Sequence, residues 1–484
     1  MAEIGLRVSP ALASGEWVAP LLGAAIFGAV LLKGSAVIGD PDIQWHIETG
    51  RWIAAHASVP DRDIFSFSMP GAPWHAHEWL SELIFWAVFR LSGWSGVVAT
   101  AASAAGVGFA LLAAALARHL QPRHVVIVSM AAFAVASQHI LARPHILTWP
   151  ILVLWTDALC LARERKTVPH PAALLLMVIW ANLHGSYVFG VALAGFFAAE
   201  AIWHAPCEVR LTVVRGWGLF LCGAALVSLL TPHNPLENIR FAFGFLDGSG
   251  FIAPIGEWQP ADFGTLSGLE LVLLGLLALA LLGRIQVPPL RILLLVGLIQ
   301  LALTHVRHGE LLGLVAPLSL APALARGLYG DSVAAMSSGR MRAPLVIIGA
   351  LALFTGSWAS RADVAPPAAV SPIAAVNAAR QAGLLKEPVF NHFNFGGFLI
   401  AAKVPVLIDG RADLYGAAFL SRYLEATSLA RPDSLESLLD RYGIRWTLLP
   451  PGTPAIALLD HLPGWTRLYA DEYAVVHRRV VPAR

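Results

Sequence analysis

Acidic and histidine side chains are concentrated where the first long apolar run of the chain ends. The stretch 39–53 reads GDPDIQWHIETGRWI, in which Asp42 and His46 would share one face of a helix. A carboxylate at a membrane surface is costly unless it is solvated or used, for example as a general base. An ordinary helix start is equally open, with Asp40 as the N-cap, Pro41 as the first helical residue and Asp42 complementing the helix dipole.

The remainder of this polar segment adds further ionisable and aromatic residues. Residues 60–82 read PDRDIFSFSMPGAPWHAHEWLSE and contain His75, His77 and Glu78. So many such side chains between two apolar runs suit a pocket for a polar substrate attached to a lipid. The two histidines, like Asp40 and Asp42, could also bind a divalent cation, so the metal content stays open, although surface histidines are commoner than metal ligands.

Polar side chains recur where other apolar runs end on the same predicted side of the membrane. Each residue alone is explained by a solvated loop or a helix cap, but the set predicts one polar cavity open to the outside. The candidate binding residues are Arg143, His145, His184, Glu257, His305, Arg307 and His308.

The elements that must position these residues are membrane helices. Of the 484 residues 57% are hydrophobic and 13% are charged, whereas soluble domains carry about 25% charged residues. We predict a polytopic α-helical membrane protein with about eleven transmembrane helices. They lie near 17–38, 95–117, 124–141, 146–162, 170–183, 187–204, 216–231, 268–283, 290–304, 310–325 and 344–360.

Arginine and lysine in alternate short loops define one side of the membrane, which we take as cytoplasmic. The N-terminus is then inside, and the first loop, 39–94, and residues 361–484 are outside. We predict two domains, a transmembrane domain over 1–360 and an extracytoplasmic α/β domain over 361–484. No basic tract with interleaved aromatic residues suggests nucleic acid, and the three cysteines indicate no disulfide framework.

Two helices are predicted in the first loop, and alternating helices and strands in the C-terminal domain. The loop helices cover 42–55 and 78–92, and Gly93 ends the second. In the C-terminal domain, Ser371-Pro372 opens a helix, Asp433 caps another, and Val404–Ile408 and Trp446–Leu449 are strands of a mostly parallel sheet.

A second candidate site lies in the segment VLIDGRADLYG, residues 406–416. Asp409 and Arg411 follow a predicted strand, where open α/β sheets bind their ligands. A turn that an Asp–Arg pair stabilises explains the pattern equally well. The absence of Walker A and GxGxxG motifs from the sequence argues against a nucleotide.

The order of elements resembles the GT-C glycosyltransferases: a first span, an outer loop with an acidic pair, two juxtamembrane helices and a further span. Residues 50–93 are similar to the first loop of the aminoarabinose- and mannosyl-transferase type. The turn Ala72-Pro73-Trp74-His75 departs from that pattern, because it lacks the lysine often found there. This departure bears on the substrate more than on the fold.

The resemblance implies a sugar donor built on a polyprenyl phosphate or diphosphate, used at the outer face of the cytoplasmic (inner) membrane by an inverting mechanism. The acceptor would be a glycan, a lipid or a protein. By carry-over from the family, Asp40 or Asp42 is the catalytic base. The candidate substrate-binding residues are His46, His77, Glu78, Arg143, His145, His184, Glu257, His305, Arg307, His308, Asp409 and Arg411. Members of the family differ in whether they require a divalent metal.

Three alternatives use the same sequence features. A translocase or transporter of lipid-linked glycans would need polar residues along a path to both faces. A polymerase or ligase of such glycans is a close variant of the transferase. A non-catalytic assembly protein would use the α/β domain to bind a partner.

Overall fold

The computed structural model describes residues 17–232, 258–283, 285–330, 351, 354–359 and 361–480. The helices before residue 331 are α1 (Val18–Leu32), α2 (Ile43–His56), α3 (Trp79–Leu116), α4 (Pro122–Ala136), α5 (Pro144–Leu147), α6 (Trp149–Glu164), α7 (Leu174–Leu183), α8 (Tyr187–Trp203), α9 (Cys207–Val227), α10 (Gly268–Leu281), α11 (Pro289–Thr304) and α12 (Gly309–Tyr329).

Residues 361–480 combine helices with a small sheet. The helices are α13 (Ile373–Gln381), α14 (Gly396–Ala401), α15 (Ala412–Ser428), α16 (Ser434–Arg441) and α17 (Pro454–Leu459), and the strands are β1 (Val389–Asn391), β2 (Trp446–Leu449), β3 (Trp465–Ala470) and β4 (Val475–Arg479).

Within the described residues, three helical segments are long and apolar enough to cross a membrane, namely Trp79–Leu116, Cys207–Val227 and Val306–Tyr329. Five shorter apolar helices accompany them. The molecule is a membrane protein, as its composition predicts. The number of eleven spans remains a prediction, and most of the predicted span 344–360 lies outside the described residues.

Helices α1 and α3 form the centre of the bundle through a close backbone contact. A Cβ built on Gly23 would lie 2.7 Å from the carbonyl oxygen of Gly106, and one on Gly106 would lie 2.8 Å from the carbonyl oxygen of Gly23. Small residues let membrane helices approach in this way. This contact holds the first half of α1 against the membrane part of α3, and the acidic pair follows α1 in the sequence.

The two predicted loop helices are present. Helix α2 starts and ends one residue after its predicted bounds. Helix α3 begins at Trp79 and is interrupted at Gly93, which has φ 59° and ψ −152°. A positive φ is easily adopted only by glycine. Gly93 therefore separates the loop helix from the membrane helix, as predicted.

The predicted cap of α2 is wrong by two residues. Asp42, not Asp40, occupies the N-cap position, and its side chain makes no capping bond. Asp40 Oδ1 instead accepts the backbone N–H of Asp42 at 2.8 Å, a local bond typical of aspartate before a helix. Pro41 lies between the two aspartates and precedes the helix.

The sheet has the order β1-β2-β4-β3, and only β1 and β2 are parallel. Strands β2 and β4 and strands β3 and β4 pair antiparallel. The predicted mostly parallel sheet is therefore wrong. Strands β3 and β4 form a hairpin, because Asp471 accepts the backbone N–H groups of Tyr473 and Ala474 and closes the turn between them.

Two further local predictions are corrected by contacts between distant segments. Val404–Ile408 is extended but forms no strand, since Val406 pairs only with Ser66 of the first loop. Ser371 is not the cap of α13, which begins at Ile373. Its hydroxyl accepts a hydrogen bond from Gln44 at 2.7 Å.

Candidate active site

The ends of α1 and α4 are joined at the point where the acidic pair lies. The N–H of Ala142 donates to the carbonyl oxygen of Val37 at 2.7 Å. Because Pro144 starts α5, the residue before it is extended. Arg143 is therefore directed toward the residues that follow α1.

Arg143 bridges both aspartates of the acidic pair. Its Nη2 forms an ion pair with Asp42 Oδ2, and its Nε lies 3.5 Å from Asp40 Oδ1. Asp40 and Asp42 are only 8% and 6% exposed. Ion pairs of such limited exposure are weakly screened by salt. The predicted base candidates and the predicted phosphate-binding arginine thus form one unit.

Glu78 lies among three histidines beside this unit. Its carboxylate oxygens are 3.2 Å from His184 Nε2, 3.8 Å from His46 Nε2 and 3.8 Å from His77 Nε2. Burial raises the pKa of Glu78 to about 8, although Arg143 opposes the shift. Burial, with Arg143 nearby, lowers the pKa of His46 well below its usual value. At neutral pH Glu78 therefore holds a proton and His46 is neutral.

Replacing Glu78 by Gln is expected to stabilise the protein increasingly as the pH rises from about 4.5 to about 8. Between pH 4.5 and about 8 the Glu78 carboxyl ionises in the unfolded chain but keeps its proton in the folded protein, so the free energy of unfolding falls as the pH rises. A neutral amide avoids this cost, and the difference disappears below about pH 4, where Glu78 is protonated in the folded and the unfolded protein. Thermal unfolding of the purified protein at several pH values measures the difference, and a pH-independent difference would contradict the assignment.

The start of α3 is attached to the end of α7, which places Glu78 next to His184. Trp79 Nε1 donates to Asn182 Oδ1 at 2.8 Å, and Ser81 Oγ donates to the carbonyl oxygen of Leu183 at 2.7 Å. One turn into α3, Glu82 Oε1 lies 3.3 Å from His46 Nδ1. Spacing of i and i+4 puts Glu78 and Glu82 on one helix face.

A second polar group surrounds His145 on the neighbouring helices. His145 Nε2 is 3.6 Å from Glu310 Oε2, which also accepts a hydrogen bond from Trp149 Nε1 at 2.6 Å. The His145 ring lies 5.0 Å from that of His139 and 6.3 Å from that of His184, centroid to centroid. This contact with His184 connects the group to Glu78.

Arg307, His305 and His308 gather around Trp258. The Arg307 guanidinium lies 4.6 Å from the centre of the Trp258 ring. The His305 Nδ1 is 2.7 Å from the carbonyl oxygen of Trp258, and the His305 and His308 rings are 5.4 Å apart. The charge of Arg307 acts on both Glu78 and His145, so this cluster borders the same site.

Asp409 and Arg411 form a buried network with the first loop. Arg411 donates to Asp409 Oδ1 and Oδ2 at 2.8 and 2.7 Å, and its Nη1 lies 2.8 Å from Asp63 Oδ1. Tyr415 also donates to Asp409. Arg411 is 1% exposed and lies over the Trp74 ring. These contacts attach the C-terminal residues to the loop and give Arg411 a positioning role.

The structure brings most of the predicted site residues to one end of the bundle. They are Asp40, Asp42, His46, His77, Glu78, Arg143, His145, His184 and, at the border, His305, Arg307 and His308. Glu257 lies outside the described residues. Glu82, Glu310 and Asp413 were not predicted as site residues; the i, i+4 spacing from Glu78 was a usable signal for Glu82.

The described residues contain no group of three or more His, Cys, Asp or Glu arranged to hold a metal ion. Arg143 already bridges the two aspartates that were considered as metal ligands. The residues present at the acidic pair therefore do not fit a divalent metal.

No protein-family model matches the sequence, and no curated protein matches it. Among the solved structures that resemble this chain is ArnT from Cupriavidus metallidurans bound to undecaprenyl phosphate. It is 14% identical with a TM-score of 0.50, over 96% of this chain and 98% of ArnT. Another is the Archaeoglobus fulgidus oligosaccharyltransferase tethered with an acceptor peptide containing the NVT sequon. It is 10% identical with a TM-score of 0.51, over 90% of this chain and 68% of that chain.

Both are GT-C glycosyltransferases. The chain therefore has a GT-C-like fold, which confirms at the level of fold the resemblance identified in the sequence.

Proposed function

We propose that the protein is a glycosyltransferase that moves a sugar from a polyprenyl phosphate or diphosphate to an acceptor at the outer face of the cytoplasmic membrane. The observation that carries the proposal is the unit of Arg143, Asp40 and Asp42 at the polar end of the bundle. Its setting adds support, because the ArnT structure of similar fold holds undecaprenyl phosphate. A carboxylate and a guanidinium side by side suit a reaction that releases a proton and a phosphate.

Asp40 and Asp42 are assigned the role of activating the acceptor. An acceptor hydroxyl becomes nucleophilic as its proton passes to a nearby carboxylate, and general-base catalysis needs that carboxylate within hydrogen-bond reach. Asp42 is the first candidate and Asp40 the second, since Arg143 contacts both. The hydroxyl oxygen then bonds to the anomeric carbon as the bond from that carbon to the phosphate oxygen breaks. Attack opposite the leaving phosphate inverts the anomeric configuration.

Arg143 and Arg307 are assigned the role of binding the phosphate of the donor. Guanidinium groups bind phosphate through paired N–H donors and stabilise the negative charge of the departing polyprenyl phosphate. The charges of Arg143 and Arg307 both act on Glu78; Arg143 lies in the unit with the acidic pair, and Arg307 borders it. His308 borders Arg307 and supplies a further donor. Glu78, protonated at neutral pH, can donate a hydrogen bond to the substrate without repelling the phosphate.

Replacing Arg143 by Gln is expected to weaken binding of undecaprenyl phosphate by about 10- to 100-fold, the loss typical of one charge-assisted hydrogen bond. Arg143→Lys keeps the charge but loses the planar fork, so an intermediate loss is expected. Native mass spectrometry of the purified full-length protein with added undecaprenyl phosphate measures the bound fraction.

The matched control is Arg467→Gln, at a partly exposed ion pair with Asp460 in the C-terminal part. Its affinity should equal that of the wild type. Equal affinities of Arg143→Gln and the control would remove Arg143 from the donor site. Absence of lipid binding by the wild type, together with absence of sugar transfer from polyprenyl-linked donors, would reject the proposed function.

A further inference from the structure

The C-terminal part lies directly against the acidic pair. A Cβ built on Gly410 would lie 1.7 Å from Asp42 Oδ1, and one on Gly397 would lie 2.2 Å from the carbonyl oxygen of Pro41. Only glycine permits backbone contacts this close. Residues 397–410 therefore form one wall of the candidate site.

The buried Arg411 network holds this wall in place. The guanidinium joins Asp409 of the C-terminal part to Asp63 of the first loop. The Gly410 carbonyl accepts the N–H of Ala412, and the Arg411 carbonyl accepts the N–H of Leu414. The chain thus turns tightly directly after the contact with Asp42, and Asp413 lies within this turn.

The turn that carries Asp413 is separate from the rest of α15. Gly416, with φ 68° and ψ 165°, interrupts the helix directly after Tyr415. Tyr415 is anchored to Asp409 by a hydrogen bond of 2.8 Å. The position of Asp413 is consequently set by the Arg411 network and not by the direction of the remaining helix.

Asp413 lies on this turn and interacts electrostatically with two acidic residues of the site. The residue is exposed, yet desolvation of its carboxyl by the surrounding protein raises its pKa to about 6. Its charge acts on both Glu78 and Glu82. The Glu82 side chain is 1% exposed, and its Oε2 has no hydrogen-bond partner among the described residues. Asp413 therefore lies near Glu78 and Glu82, on the turn that follows the contact of Gly410 with Asp42.

We propose that Asp413 is a substrate-binding residue of this site and that its carboxylate accepts a hydrogen bond from a substrate hydroxyl group. The inference rests on the proposed function and extends it to the C-terminal part. A phosphate is excluded as the partner of Asp413 because two anions repel each other. Sugars present many hydroxyl groups, on the transferred unit and on a glycan acceptor, and a carboxylate binds them as an acceptor.

Kinetics of Asp413→Asn and Asp413→Ala test the role. The full-length protein is assayed with a panel of undecaprenyl-phosphate-linked radiolabelled sugars and extracted membrane lipids and glycans as acceptors. We expect kcat/KM to fall about 10- to 100-fold, mainly through a higher KM for one substrate. A higher donor KM places the hydroxyl on the transferred sugar, and a higher acceptor KM places it on the acceptor. Undecaprenyl phosphate binding should remain at the wild-type level, unlike in the Arg143 variants.

The control is Glu472→Gln, an exposed carboxyl in the turn between β3 and β4. Its kinetics should equal those of the wild type. Wild-type kinetics in both Asp413 variants would overturn the proposal, and so would an equal loss of undecaprenyl phosphate binding, which would indicate general disruption of the site.

A cross-link tests the placement without activity. In a background with Cys207→Ser and Cys222→Ser, the double variant Glu78→Cys and Asp413→Cys is treated with a short bifunctional methanethiosulfonate. Cross-linking is expected for this pair and not for Glu78→Cys combined with Glu472→Cys. Failure of the first pair overturns the proposal. If the pair cross-links but the wild type transfers no sugar, the position of Asp413 near Glu78 is supported. The proposed function is then rejected, and so is the role of Asp413 in binding substrate.

Discussion

Replacing Asp42 by Asn is expected to lower the rate of sugar transfer by about 10²- to 10⁴-fold, the contribution typical of a general base. The amide keeps the size of the side chain but cannot accept the acceptor's proton. Asp42 is preferred over Asp40 because its carboxylate contacts both Arg143 and Gly410, which belongs to the wall formed by residues 397–410. Asp40 also accepts the backbone N–H of Asp42, so part of its contribution is to position the neighbouring carboxylate.

Initial rates of transfer by Asp42→Asn, Asp40→Asn and the double variant measure this effect in the purified full-length protein. Glu48→Gln is the matched control, because Glu48 is on the same helix and pairs with Arg51 and Lys403 instead of Arg143. A normal rate of transfer by the double variant would show that neither Asp42 nor Asp40 is the general base. If undecaprenyl phosphate binding fell as much as kcat/KM, Asp42 would be assigned to holding Arg143 and not to catalysis.

Replacing Arg411 by Met is expected to destabilise the folded protein by about 3–5 kcal/mol, the cost of leaving buried charges without their partner. Burial by itself lowers the pKa of this guanidinium, but Asp409, Tyr415 and Asp63 outweigh it and raise the pKa. Removing the guanidinium leaves Asp409 and Asp63 buried together. Denaturant titration of the full-length protein, followed by intrinsic fluorescence, measures the loss.

Arg467→Met is the comparison, because its ion pair with Asp460 is partly exposed and such pairs contribute about 0–1 kcal/mol. The triple variant Arg411→Met, Asp409→Leu, Asp63→Leu should recover part of the lost stability, since no buried charge is then left alone. Equal effects of Arg411→Met and Arg467→Met would show that the buried network does not hold the C-terminal part in place.

Most predictions that depend on neighbouring residues in the sequence were accurate, apart from the capping residues Asp40 and Ser371. The loop helices, the break at Gly93, strand β2 and the helix after Asp433 all agree with the structure to within about one residue. Hydrophobic period and glycine conformation are local properties, so they can be read without the fold. Apolar runs of membrane length likewise predicted that polar loop ends would collect at one end of the bundle.

Features that depend on distant residues were decided by the tertiary structure alone. Val404–Ile408 has the composition of a strand but pairs with Ser66, more than 300 positions earlier, and this pairing could not be read from the segment itself. The same applies to the relative directions of the strands in the sheet, where β3 and β4 pair antiparallel as a hairpin.

The site shows the same division between sequence and structure. From the sequence, Asp40 and Asp42 were an acidic pair at a helix start, and both a cap and a catalytic role were open. The structure pairs them with Arg143, about 100 positions away, and places Gly410 against Asp42. Ionisable side chains acquire their chemistry from burial and from neighbouring charges. The residue types of the site were thus predictable, whereas their partners and protonation were set by packing between segments far apart in the chain.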